Sequence, residues 1–181
     1  KELGAGGEAT VYTTNTPYVA KIYKKDNITA RKFEKIKLML SKNIDCEGIC
    51  YPVEIIYNSK KEFVGYLMPQ AKGQELQKSV FGPKPLFLKK FPNWKKRDTV
   101  ELCVTILEKI KYLHDRNIIM GDINPANILV VSPKEVYFVD TDSYQVEDLA
   151  CPVGNNNYTP PEIQTTHDSA FSRTRGNENF A

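Results

Sequence analysis

Apolar and polar positions first set an extended rhythm along this chain and then a helical one. Over residues 18–23 the alternate positions Val19, Lys21 and Tyr23 fall on one face of a predicted strand. Upstream, Leu3, Gly4, Ala5, Gly6 and Gly7 form a glycine-rich turn that runs into the β-prone Val11 and Tyr12. Asn15, Thr16 and Pro17 punctuate it, so a hairpin plus a third strand is predicted. Between residues 29 and 42, Phe33, Ile36, Leu38, Met39 and Leu40 recur at helical spacing among lysines. Two more strands are expected at 53–57 and 63–68, across a polar turn at 58–61.

Beyond a Gly-, Pro- and Lys-rich loop at 73–92 the period changes. Val100, Cys103, Val104, Leu107, Ile110 and Leu113 predict a long amphipathic helix over 98–116. Short apolar strands follow at 118–120, 128–131 and 136–139, separated by loops of Asp, Asn and Pro, and the tail from Gly154 onward is polar. The predicted organisation is α+β. A β-rich part with one main helix covers 1–70, and a mainly helical part with short hairpins covers 71–181.

Composition narrows the classes. The 181 residues are 41% hydrophobic, enough to bury a sizeable core. No run approaches 18 apolar residues, and residues 1–8 lack a signal-peptide layout, so no membrane partner is expected and a cytoplasmic location is the default. Of the four cysteines, only Cys46 and Cys50 lie close together, without a second pair at zinc-ligand spacing, and free thiols are expected. The net charge of +3 is mild apart from a cluster at Lys89, Lys90, Lys95, Lys96 and Arg97, interrupted by Phe91, Pro92 and Trp94. Such a cluster could touch nucleic acid or a phosphorylated partner. The favoured reading is a solvated loop leading into a helix, and nucleic acid is not the expected partner.

Four features carry candidate chemistry. Gly4 and Gly6 lie in a turn whose backbone N–H groups can approach phosphates closely, because glycine lacks a Cβ. Lys21 shares a strand face with Val19, so the valine could cover a base while the lysine reaches phosphates. Glu34 is the single acid in the helix at 29–42 and is the proposed partner of Lys21, since a buried cation needs one. Asp122, Asn127 and Asp140 present oxygen donors at the ends of short strands, the ligand type that magnesium takes together with substrate phosphates.

In this order, a glycine-rich loop, strand lysine, helix glutamate, catalytic Asp, Asn and metal-binding Asp, the chain resembles the protein-kinase family over nearly its whole length. Asp122 and Asn127 are spaced as in the family's Asp-x-x-x-x-Asn loop. Asp140 stands for the Asp of Asp-Phe-Gly, and residues 154–162 are similar to the Gly-Thr-Pro-x-Tyr-x-Ala-Pro-Glu segment. The resemblance implies a bilobal fold with ATP held between the lobes. Val11 and Val19 would roof the adenine and Leu129 would floor it. Met68 would stand behind it, and Pro69, Gln70 and Ala71 would form the hinge. Asn127 and Asp140 would hold magnesium, Asp122 would act on the acceptor, and His114 would have a structural role.

Several positions depart from the family. Met120 and Gly121 replace His-Arg before Asp122, which removes the arginine that would bind a phosphorylated activation loop. Asn124 and Asn155 replace a lysine and its usual threonine partner, Ala9 replaces the third glycine, and Asp142 adds a carboxylate two residues after Asp140. The chain stops about where the central helix of the family's C-lobe would start, so a fragment of a longer polypeptide is expected. The resemblance implies an ATP- and magnesium-dependent kinase acting on Ser or Thr of a protein substrate. A nucleotide-binding pseudokinase or regulatory module is the alternative.

Overall fold

Alternation becomes burial in the strand Tyr18–Tyr23, where Val19, Lys21 and Tyr23 turn inward while Tyr18 stays exposed. The computed structural model describes residues 1–152, 154, 157–164 and 172–179. The chain divides into two compact units, one made of residues 1–45 and 50–70 and the other of residues 46–49 and 71–181.

In the first unit, β1 (Glu2–Ala5), β2 (Ala9–Thr13), β3 (Tyr18–Tyr23), β4 (Glu54–Tyr57) and β5 (Phe63–Pro69) form one antiparallel sheet in the order β1-β2-β3-β5-β4. Gly6 N–H donates to the Ala9 carbonyl at 2.8 Å and closes the first hairpin. Helix α1 (Ala30–Ser41) is capped by Thr29, whose hydroxyl accepts from Lys32 N–H at 3.1 Å and satisfies one of the orphan donors of the first turn. It buries Lys35, Ile36 and Met39. Phe33 packs 5.0 Å from Phe63 between ring centroids, and Tyr23 lies 5.8 Å from Phe63, so an aromatic cluster joins helix to sheet.

The second unit holds two small sheets and most of the helix. β6 (Gln74–Glu75), β8 (Ile128–Ser132) and β9 (Glu135–Phe138) form one, and β7 (Ile118–Ile119) pairs with β10 (Gln145–Val146) in the other. Residues 46–49 belong here because the Gly48 carbonyl accepts from Phe138 N–H at 2.7 Å. Helices α2 (Lys84–Lys90), α3 (Lys96–His114), α4 (Pro161–Gln164) and α5 (Arg175–Glu178) complete it. All four cysteines are free thiols, as expected. Among the described residues no helix is long and apolar enough to cross a membrane.

Two sequence expectations need correction. The stretch 73–92 is not a loop throughout, since it contains β6 and α2. The predicted apolar stripe of α3 is also displaced: Val100 and Leu107 are 64% and 62% exposed, and Cys103 and Val104 are exposed too, whereas Leu102 and Leu113 are buried. The helix carries two overlapping apolar stripes that share Leu113. Packing selects the one through Leu102.

Tyr51 is buried, and its hydroxyl has no hydrogen-bond partner among the described residues. Burial pushes its phenol above the ordinary tyrosine range. Tyr51→Phe removes the unsatisfied oxygen with little change of shape, so it is expected to stabilise the fold by about 1 kcal/mol, read as a raised denaturant midpoint. Because the folded-state pKa is raised, wild-type stability falls as pH rises past the unfolded tyrosine value of about 10, and the Tyr51→Phe variant loses that component of the pH dependence.

Candidate active site

The nucleotide-facing candidates of the first unit are set by strand register. Val11 stands opposite Lys21, Val19 opposite Met68 and Lys21 opposite Tyr66, so Val11, Lys21 and Tyr66 form a row across β2, β3 and β5. Lys21 is buried, with Nζ 6.0 Å from the Tyr66 ring centroid. Gly4 lies in β1 opposite Val11, and a Cβ there would meet nothing within 4 Å; at Gly6 it would meet only the Ala9 carbonyl at 3.7 Å. The turn is therefore open to close approach. Gln70 is exposed and its N–H donates to the Pro17 carbonyl at 3.2 Å.

The structure does not bring Glu34 to Lys21. Its carboxylate is exposed and accepts from Lys37 Nζ at 3.1 Å, one turn along α1. The buried set Lys35, Ile36 and Met39 fixes the rotation of the helix and leaves Glu34 facing outward.

In the second unit, Asp122 and Asn127 do meet, with Asn127 Nδ2 donating to Asp122 Oδ2 at 3.2 Å. The loop between them is shaped by Asn124, whose side-chain oxygen accepts from Ala126 N–H at 3.0 Å and whose carbonyl accepts from Asn127 N–H at 2.8 Å. Leu129 follows on β8, opposite Tyr137 of β9. The Asn127 carbonyl accepts from Val139 N–H at 2.9 Å, which ties this loop to the residue before Asp140.

Asp140 is exposed and adopts the left-handed conformation, φ 59° and ψ 34°. A 3₁₀ turn, Thr141–Ser143, starts immediately after it, and Ser143 donates to the Asp140 carbonyl through both N–H at 3.2 Å and hydroxyl at 2.8 Å. Asp140 and Asp142 thus do not lie on one extended stretch, and Asp142 is buried while Asp140 is not. Asp122, Asn127 and Asp140 offer oxygen donors only, a set that fits magnesium, an ion that takes one or two carboxylates and completes its shell with phosphate and water. Among the described residues no three His, Cys, Asp or Glu side chains group as an all-protein cage.

Glu178, Arg173 and Gln145 were not singled out by sequence reasoning. The Glu178 side chain is 1% exposed, one oxygen accepts from Gly121 N–H at 2.7 Å, and the other meets His114 Nε2. His114 therefore has a structural position, linking the end of α3 to the loop that carries Asp122. Arg173 Nη1 donates to the Cys151 carbonyl at 2.9 Å, and its backbone is held from both sides by the Gln145 amide at 2.7 and 2.8 Å. No local pattern announces contacts between residues so far apart in sequence. Glu162 accepts from Asn177 Nδ2 at 2.8 Å. Asn155 lies outside the described residues.

Gly121 explains one departure from the usual loop. Its φ is +72°, and a Cβ there would stand 2.5 Å from Cys151 Cβ, 2.9 Å from Cys151 Sγ and 3.1 Å from Arg173 Nη1. Where the family has an arginine, this chain has no room for any side chain, and the Arg173 guanidinium lies alongside. Gly121→Ala is expected to cost about 2–4 kcal/mol from the strained dihedral and the overlap together, whereas Gly4→Ala, in open space with no positive φ, is expected within about 0.5 kcal/mol of wild type. Thermal or denaturant unfolding of the two variants checks this, and equal losses would contradict the packing described at Gly121.

Comparison with known proteins adds an independent line. The family model of the protein kinase domain matches residues 1–173. Protein kinase YegI of Escherichia coli O157:H7 is 28% identical over 99% of this chain and 29% of its own length. The meiosis-specific serine/threonine-protein kinase mek1 of Schizosaccharomyces pombe is 30% identical over 90% of this chain and 37% of its length. The human serine/threonine-protein kinase VRK2 is 25% identical over 96% of this chain and 36% of its length. The chain thus spans about a third of the length of these relatives. The family match, covering the hairpin, the strand lysine, the Asp122–Asn127 loop and Asp140 in one alignment, shows that this chain belongs to the protein kinase domain family.

Proposed function

We propose that the protein is an ATP- and magnesium-dependent kinase that transfers the γ-phosphate to a Ser or Thr hydroxyl of a protein. The observation that carries the reading is the hydrogen bond between Asp122 and Asn127 within a loop whose backbone is pinned by Asn124 and tied to Val139. It holds the proposed proton acceptor and a proposed metal ligand side by side, beside the residue that precedes Asp140.

Asp122 orients the acceptor hydroxyl and takes its proton as the hydroxyl oxygen bonds to the γ-phosphorus. The bond from that phosphorus to the β–γ bridging oxygen breaks, and ADP leaves with the electron pair. Lys21 neutralises the α- and β-phosphates, and the open turn at Gly6, together with the strand residue Gly4 beside it, lets backbone N–H groups approach them. Val11, Val19 and Met68 are the first unit's candidates for contact with the adenine, Gln70 ends that unit, and Leu129 is the second unit's candidate. Bound magnesium, held by Asn127 and Asp140, would offset phosphate charge. Phosphoryl transfer asks little covalent chemistry of the protein, so positioning and charge supply the rate. Glu34, the proposed partner of Lys21, pairs instead with Lys37. The Ser/Thr preference rests on Asn124, Pro125 and Ala126, a loop closer to that of Ser/Thr kinases than to tyrosine-kinase forms, and on the names of two relatives.

Transfer of labelled γ-phosphate by the full-length protein to a panel of protein acceptors tests the reading. Asp122→Asn is expected to lower transfer by about 10²- to 10⁴-fold while ATP affinity stays within a few-fold. Absence of transfer by the wild type, with ATP binding intact, would favour a nucleotide-binding module instead.

The two acids near the metal separate by effect. Asp140→Ala is expected to abolish the magnesium-dependent part of ATP binding, measured by calorimetry with and without the ion. Asp142→Ala is expected to weaken it by about 10- to 100-fold, as loss of a group that orients a ligand does. Equal loss in both variants would move the ligand assignment away from Asp140.

A further inference from the structure

Residues 76–97 hold seven cations, Lys78, Lys84, Lys89, Lys90, Lys95, Lys96 and Arg97, and no acid. The whole chain carries +3, so the remainder of it carries −4 (+3 less +7). The positive charge of the molecule is therefore concentrated in this one segment, which holds α2 and leads into α3.

Two of the cations are used internally. Lys90 Nζ donates to Gln74 Oε1 at 3.1 Å and to the Lys78 carbonyl at 3.2 Å, and Lys78 pairs with Glu75 at 2.7 Å. The other five, Lys84, Lys89, Lys95, Lys96 and Arg97, are exposed, and none forms an ion pair with a described carboxylate. Interleaved with them are large apolar side chains open to solvent: Phe81, Leu86 and Leu88 are 64%, 51% and 44% exposed. Helix α2 buries no residue. Its support is a small aromatic cluster in which Phe87, Phe91 and Trp94 pack tilted or edge-on at 4.9–5.8 Å between centroids, with Trp94 Nε1 donating to Thr99 Oγ1 at 3.0 Å.

We propose that this segment docks the protein on an anionic lipid surface, the cations meeting headgroups while Phe81 enters the interface with Leu88, which shares a face of α2 with Lys84. Exposed aliphatic and aromatic tips beside unpaired lysines are what adsorption to a charged bilayer requires. A nucleic-acid partner fits less well. Three of the segment's four rings, Phe87, Phe91 and Trp94, pack against one another and leave Phe81 as the exposed one, and six of the seven cations are lysines, hydrated point charges rather than the planar forks that read phosphates and bases. An acidic partner would be met by the lysines but would leave Phe81 and Leu88 in water. The proposal does not depend on phosphoryl transfer.

Co-sedimentation of the full-length protein with phosphatidylcholine vesicles, with and without roughly 30% phosphatidylserine, tests it. Binding is expected only to the anionic vesicles and is expected to disappear by about 0.5 M salt, where the Debye length shrinks to a few ångströms. Each cation at such a surface is worth roughly five-fold in affinity, so Lys84→Ala with Lys89→Ala should weaken binding by about 25-fold. Phe81→Ser with Leu88→Ser should weaken it at unchanged charge, and unaltered thermal unfolding of both double variants shows that the fold is retained. Equal binding to neutral vesicles, a Phe81→Ser, Leu88→Ser variant that binds like wild type, or preference for a single-stranded oligonucleotide or an acidic peptide over the anionic vesicles would each overturn the proposal.

Discussion

A carboxylate in the second unit fixes where the loop from Asp122 to Asn127 begins. Glu178 is almost fully enclosed, and a charge so placed is tolerated only where donors surround it. Its two oxygens take Gly121 N–H and His114 Nε2, so the end of α3, the residue before Asp122 and the last turn of α5 become one assembly. Gly121 has to be glycine within it, because Cys151 and Arg173 fill the space where a side chain would begin. Asp122 inherits its position from these contacts, and Asn127 holds its carboxylate from the other side.

The sheet of the first unit obeys a different constraint, that of register. A one-residue slip between β2 and β3 would turn Val19, Lys21 and Tyr23 to the opposite face. The aromatic cluster of Tyr23, Phe33 and Phe63 opposes such a slip, since it would expose rings that now pack against one another. Lys21 is thus held in a buried row by hydrophobic neighbours, whatever the orientation of α1.

The fold class and the order of the motifs were legible because they depend on local period and spacing. The alternation of β3 and the five-residue step from Asp122 to Asn127 both operate within a few residues. What the sequence withheld was the rotation of helices. Glu34 is the only acid on α1, which makes it the natural partner for a lysine, yet Lys35, Ile36 and Met39 claim the inner face and the glutamate turns to Lys37. The same ambiguity misplaced the buried stripe of α3, where apolar residues occupy more of the circumference than packing can cover. The Glu178–Gly121 and Gln145–Arg173 contacts span 57 and 28 residues and follow no period at all.

Asp140 shows how such distant and local constraints combine at one residue. A non-glycine residue at φ 59° costs of order 1–2 kcal/mol, so the surrounding structure has to over-determine it. Strand β9 fixes the chain entering it, and Val139 N–H is taken by the Asn127 carbonyl. On the far side the Ser143 hydroxyl and N–H both close on the Asp140 carbonyl and start the 3₁₀ turn. With backbone bonds on either side, the exposed Asp140 stands on a backbone fixed from both directions. Asp142, one step inside the turn, is buried by the same geometry. The left-handed residue thus separates two carboxylates that an extended chain would have pointed the same way, leaving one exposed and the other buried.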